Sequence, residues 1–209
     1  MSGSEQILKK IKSGAIGVMF LGLTLMLLPI IIIVCMLFTG SASGNIVLII
    51  ILAAVAAGGT ALMVYNMRIM LNPSSSFFLK KNPDVLRQAD ELLSDLIYRD
   101  KFIMFSHRLI ASAADLRQIS YTDEVFVIYV YIHKTNGVTD MKQLKLETAR
   151  RTITINIYGK KDEEINELIG NILEHCRYAK VGYNPDSMNY LKQMRELWKK
   201  DQENKGEKV

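Results

Sequence analysis

The sequence predicts an α+β protein: an N-terminal two-helix transmembrane hairpin, then an antiparallel meander with flanking helices. Three observations carry this. Gly14–Phe38 and Ile46–Tyr65 contain no charged residue, and each is long enough to cross a hydrocarbon core of about 30 Å as a helix rising about 1.5 Å per residue. Between Lys101 and Tyr158 the hydrophobic pattern shortens to that of strands, rich in Phe, Ile, Val and Tyr. On both sides of that stretch, apolar residues recur at three- and four-residue steps, as on amphipathic helices.

Composition divides along the same line. Hydrophobic residues make up 49% of the chain, and a mean hydropathy of +0.13 averages an apolar hairpin with an ordinary domain-sized remainder. Of the formal charge of +5, Lys9, Lys10 and Lys12 against Glu5 lie ahead of the hairpin, leaving 23 basic and 20 acidic side chains after it. That balance argues against nucleic acid as a partner, which calls for a concentrated basic face. Cys35 lies in the first span and Cys176 in the soluble part. A disulfide framework is therefore excluded, in keeping with a reducing cytoplasm.

Residues 1–13 form a basic head, and residues 14–65 the hairpin, with spans 14–38 and 46–65. The first apolar stretch exceeds the roughly 7–15 residues of a signal-peptide core, so a retained anchor is expected rather than a cleaved leader. Basic residues flank the hairpin (Lys9, Lys10, Lys12, then Arg68, Lys80, Lys81) and none lies in the loop Thr39–Asn45. The positive-inside rule then gives a two-span cell-membrane protein with both termini cytoplasmic. Ala53, Ala57 and Ala61, with Ala54 and Gly58 beside them, present small residues at a spacing that admits a close helix neighbour. That neighbour is either the first span or a second copy, so a homo-oligomer is one outcome. Pro29 is positioned to kink the first span. With no ionisable side chain in either span, an ion or proton pathway lacks its usual groups.

Residues 66–82 read as a linker, centred on Asn72-Pro73-Ser74-Ser75-Ser76. Residues 83–184 read as the cytoplasmic domain. Asn82-Pro83-Asp84 supplies cap, first-turn proline and dipole-favourable acid. The stripe Val85, Leu86, Ala89, Leu92, Leu93, Leu96, Ile97 extends a helix to about Tyr98. Strands are expected at 101–106, 108–112, 118–121, 125–133, 143–148 and 152–158. Thr135-Asn136-Gly137 forms a turn that uses positive backbone angles. Ile153, Ile155 and Ile157 alternate with Thr154 and Asn156, marking a half-buried face. Asp162-Glu163-Glu164 opens a further helix with the stripe Ile165, Leu168, Ile169, Ile172, Leu173, Cys176.

Phe105-Ser106-His107-Arg108-Leu109-Ile110 resembles the turn between the first two strands of bacterial membrane-anchored PH-like domain proteins. Gln118-Ile119-Ser120-Tyr121-Thr122-Asp123-Glu124-Val125 is similar to the segment those domains place next. The resemblance covers residues 101–176. It implies a curved sheet closed by one helix and a binding role, and it carries over no catalytic residue. The long helix ahead of the first strand and the Tyr-rich middle strand depart from the pattern.

Residues 185–209 read as an amphipathic helix and a polar tail. Met188, Leu191, Leu197 and Trp198 fall on one side with Met194 near them, and Lys192, Arg195 and Lys199 on the other. Such a segment either lies on anionic lipid headgroups or packs on protein, its own domain or a membrane protein partner. The candidate surface contacts are Arg150, Arg151, Lys192, Arg195, Trp198 and Lys199. His107, His133 and His175 show no metal-ligand spacing, and there is no Gly-rich phosphate loop. No catalytic residue, metal or cofactor is assigned. The expected role is a membrane-anchored binding or scaffolding module without enzymatic activity, or else a non-catalytic accessory subunit of a larger membrane complex.

Overall fold

A computed structural model of the chain describes residues 1–40 and 45–206. The chain is α+β and divides into two compact units, Glu5–Pro83 and Met1–Ser4 with Asp84–Val209.

The first unit is helical. α1 covers Gly3–Phe38 and α2 covers Ile46–Leu71. Their most apolar windows have mean hydropathies of 2.9 and 2.6. With 36 and 26 residues, they measure about 54 and 39 Å, which exceeds the bilayer core. Three polar side chains within them bond their own helix. Thr24 donates to Phe20 O at 3.1 Å, Thr60 to Ala56 O at 2.9 Å, and Asn66 to Leu62 O at 2.8 Å. Each hydroxyl or amide returns to the carbonyl one turn back, so none demands water in an apolar surround. α1 runs as one helix through Pro29.

Helix α1 begins at Gly3, so the basic head is helical. The expected linker is also structured. α2 continues to Leu71, Pro73–Ser75 makes one 3-10 turn, and α3 spans Phe77–Lys81. Ser76 Oγ caps α3 by accepting from Leu79 N at 3.3 Å. Asn82 closes α3, donating to Phe78 O at 2.9 Å, rather than opening the next helix.

In the second unit α4 spans Val85–Ser94 and stops earlier than its apolar stripe suggests. Beyond it, Leu96–Arg99 is strand β1, an edge strand. The carboxylate of Asp100 explains the switch. It accepts from Phe102 N at 2.6 Å and Ile103 N at 2.7 Å, which folds a tight turn and brings β1 against strand β2 (Ile103–Ser106). Strands β3 (Leu109–Ser112) and β4 (Asp115–Tyr121) complete one sheet in the order β1-β2-β3-β4. β5 (Val125–Thr135), β6 (Val138–Thr148), β7 (Thr152–Asn156) and β8 (Lys180–Val181) form a second, ordered β7-β6-β5-β8. The strands thus divide between two sheets, and β8 adds a parallel pair to β5. Asn136 and Gly137, with φ of 52° and 81°, turn β5 into β6, as an Asn-Gly pair tolerates.

Helix α5 (Asp162–His175) gathers both sheets into one core. Ile165, Leu168, Ile169 and Ile172 meet Ile103, Phe105 and Ile110 of the first sheet, and Val125, Ile128, Leu144, Leu146, Ile153 and Ile155 of the second. On the other face of the first sheet, α4 packs over β2, β3 and β4. Its N-terminal neighbour is Gly3, where a Cβ would collide with the Ala89 carbonyl. Ser4 N donates to Asp90 Oδ1 at 2.9 Å. The last helix, α6 (Pro185–Asn204), starts as its sequence predicts, with Asn184 Oδ1 accepting from Ser187 N at 2.8 Å and Pro185 in the first turn.

Candidate functional site

The expected contact residues converge on α6 and the face of the β5–β6 ribbon beneath it. Leu191 is buried with Phe126, Val127 and Ala149, and Met188, Tyr190, Met194 and Trp198 pack around them. The apolar side of the tail helix is therefore covered by its own sheet. Leu197, expected on that side, is exposed instead.

Two ion-pair groups fasten the helix. Arg195 donates through Nε to Thr148 O at 2.9 Å and through an Nη to Glu147 Oε2 at 3.0 Å. Glu147 is buried and fully used, since its oxygens also accept from Tyr129 Oη at 3.1 Å and Thr152 Oγ1 at 2.8 Å. Burial beside that carboxylate pushes the Tyr129 hydroxyl up to about 12. One turn along α6, the Trp198 indole lies beside the Glu124 carboxylate. Arg150 lies over the Trp198 ring at 4.9 Å and pairs with Glu124 at 3.7 Å. Burial raises the Glu124 carboxyl above its ordinary value, against the opposing pull of Arg150.

Arg151 feels Glu124 and Arg150 as well, but its hydrogen bond goes to the other sheet. It donates to the Ile119 carbonyl on β4, and burial lowers its guanidinium below the ordinary range. It ties one sheet to the other rather than facing a ligand. Lys192 and Lys199 are exposed and line a shallow groove of about 320 Å³ along α6, with Met188, Leu191, Arg195 and Glu196. Of the six candidates, Arg150, Arg195 and Trp198 thus dock the helix, Arg151 joins the sheets, and Lys192 and Lys199 present charge outward. Glu124 and Glu147, which the sequence offers only as acidic residues of the kind any chain this long contains, are the partners of these groups. Glu147 lies on β6, whereas Glu124 lies in the 3-10 turn Thr122–Glu124 ahead of β5, so no shared pattern marks the two.

Three further groups are buried or engaged locally. Cys176 is buried, and its thiol is pushed up to about 12 by desolvation. His133 Nδ1 lies 2.8 Å from Asp140 Oδ1, and Thr135 Oγ1 donates to the same carboxylate at 2.6 Å. His175 Nδ1 lies 3.0 Å from Asn171 O. Among the described residues no three His, Cys, Asp or Glu side chains are arranged to hold a metal ion.

In the first unit, the stripe Ala53, Ala57, Ala61 is exposed, and Ala56 and Gly59 are the buried small residues of α2. A shallow apolar groove of about 660 Å³ on the outer face of α2 runs past Ala57, Thr60, Ala61 and Val64 to Tyr65 and Arg68. No family model, no curated protein and no solved structure matches the chain.

Proposed function

We propose that the chain is a membrane-anchored cytoplasmic binding or scaffolding module without chemistry of its own, built on a PH-like domain. In this reading it contacts anionic groups at the inner membrane surface through Lys192 and Lys199. The observation that carries it is the state of α6. Its apolar side is docked on the sheet by Arg195–Glu147 and Trp198–Glu124, so the lysines stand on a fixed helix. A rigidly held pair of ammonium groups binds anions at lower entropic cost than a mobile tail. The hairpin supplies membrane affinity, and the basic flank orients the domain.

A second reading, a non-catalytic accessory subunit, draws on the exposed small-residue face of α2, which suits a transmembrane helix of a partner. A photo-cross-linking amino acid placed at Lys192 or Lys199 in the full chain, irradiated in cells, separates the two. Lipid adducts support the first reading. A discrete protein adduct in their place supports the subunit reading. Absence of both, with adducts at Ala57, removes α6 from the contact surface.

A further inference from the structure

Strand β1 is a short apolar edge left open. Leu96 is 37% exposed, Ile97 51% and Tyr98 36%. β1 ends its sheet, pairing only with β2, so among the described residues no strand covers its outer rim. Soluble domains usually protect such a rim with lysine, proline or a covering element, because unpaired N–H and C=O groups template another strand. Here the rim carries two aliphatic side chains and a tyrosine, with Arg99 at its end and Asp95, the residue that closes α4, just before its start. Arg99 forms no ion pair among the described residues. Asp95 Oδ2 lies 2.9 Å from His107 Nδ1.

The order of these residues is self-complementary. When Asp95-Leu96-Ile97-Tyr98-Arg99 is laid antiparallel on a second copy about Ile97, Ile97 meets Ile97, Leu96 meets Tyr98, and Asp95 meets Arg99. Aromatic–aliphatic and opposite-charge neighbours are the favourable cross-strand combinations. Both charge pairs form at once because the two-fold axis repeats them, as an isologous interface requires. A parallel or one-residue-shifted pairing loses this match.

We propose that β1 is a homodimerisation edge, at which a second copy of this chain adds its own β1 antiparallel about Ile97 and joins the two four-stranded sheets into one of eight strands. The register shift between Leu96 and Tyr98 leaves Ile97 as an extra residue of β1 with no partner on β2. Such a bulge turns a side chain out of its own ladder, here at the residue on the proposed axis. Tyr98 is pre-set for its role by stacking on Phe105 at 5.1 Å, which reduces the ordering needed on association.

The test uses the full chain expressed in cells, with Cys35→Ser removing the exposed native thiol. Cross-strand neighbours on the axis have Cβ atoms about 4.5–5.5 Å apart, close enough for a disulfide after modest adjustment. Under copper-phenanthroline oxidation, Ile97→Cys should give a covalent dimer. Leu96→Cys should not, because its counterpart is Tyr98, whereas Leu96→Cys co-expressed with Tyr98→Cys should give the mixed dimer. Adding Arg99→Asp to Ile97→Cys should abolish the dimer, and further adding Asp95→Arg should restore it. Equal cross-linking at Leu96→Cys and Ile97→Cys, no dimer with either, or failure of the charge exchange to restore it would overturn the proposal. Circular dichroism of each purified variant identifies any that does not fold, and an Ile97→Ser control does the same for the axis position.

Discussion

Gly22 of α1 and Gly59 of α2 meet backbone to backbone. A Cβ on Gly59 would lie 2.8 Å from Gly22 O and 2.7 Å from Met26 N, and one on Gly22 would lie 3.0 Å from Gly59 O. No rotamer relieves such contacts, because the obstacles are main-chain atoms. Between helices in an apolar surround, association relies on this kind of close van der Waals approach.

Gly59→Val should therefore separate the two helices at their crossing. Overpacking of this kind costs about 1–3 kcal/mol, to be read as a lower unfolding midpoint of the full chain in detergent. Ala57→Val, on the exposed face of the same helix, should leave that midpoint within error. Equal losses for the two variants would show that Gly59 is not the contact.

The hairpin's existence was plain in the sequence and its contact face was not. Two uncharged runs suffice to mark two long helices. Choosing among Ala53, Ala54, Ala56, Ala57, Gly58 and Gly59 requires knowing where α1 lies, and every rotation of α2 offers some small residue. The Ala53–Ala57–Ala61 stripe was the most regular pattern, yet the buried residues are Ala56 and Gly59. In the domain, alternation told true at Ile153, Ile155 and Ile157, all buried. Helical periodicity failed at Leu96 and Ile97, where a helical stripe and an edge strand predict the same residue types. The site was half legible. Lys192 and Lys199 follow from helical periodicity, whereas Arg195 and Trp198 find their partners, Glu147 and Glu124, only through long-range packing.

Arg195 and Glu147 should be energetically coupled. Arg195→Ala leaves a buried carboxylate with only Tyr129 and Thr152, at a cost of about 1–3 kcal/mol. The double variant Arg195→Ala, Glu147→Gln should recover part of that loss, because no charge remains to be desolvated. Denaturant unfolding of the full chain in detergent measures the cycle. Strict additivity of the two single changes would mean that the pair does not act as one.

Glu124 should impose a pH dependence on stability. Its folded-state carboxyl is raised, chiefly by desolvation. Burial of its charge therefore opposes folding at neutral pH, and this penalty is relieved as pH falls through the folded value. Relief is complete below the unfolded value of about 4.3. Glu124→Gln keeps the size and polarity of the side chain and removes the titration. Its melting temperature relative to the native chain should be most favourable at pH 7 and should converge as pH falls toward about 4.5. A difference that stays constant, or grows on acidification, would contradict the assigned cause.

The central claim is that an N-terminal hairpin holds this domain at the cytoplasmic face of a membrane, and one labelling experiment addresses it. Cys176 is buried and will not report, so a fresh thiol is needed on each side of the hairpin. In a Cys35→Ser background, Asn45→Cys beside the connecting loop and Tyr178→Cys on the exposed domain surface serve this purpose. In intact cells an impermeant maleimide should label Asn45→Cys and spare Tyr178→Cys until the membrane is opened. Labelling of Tyr178→Cys in intact cells, with Asn45→Cys protected, would contradict the account.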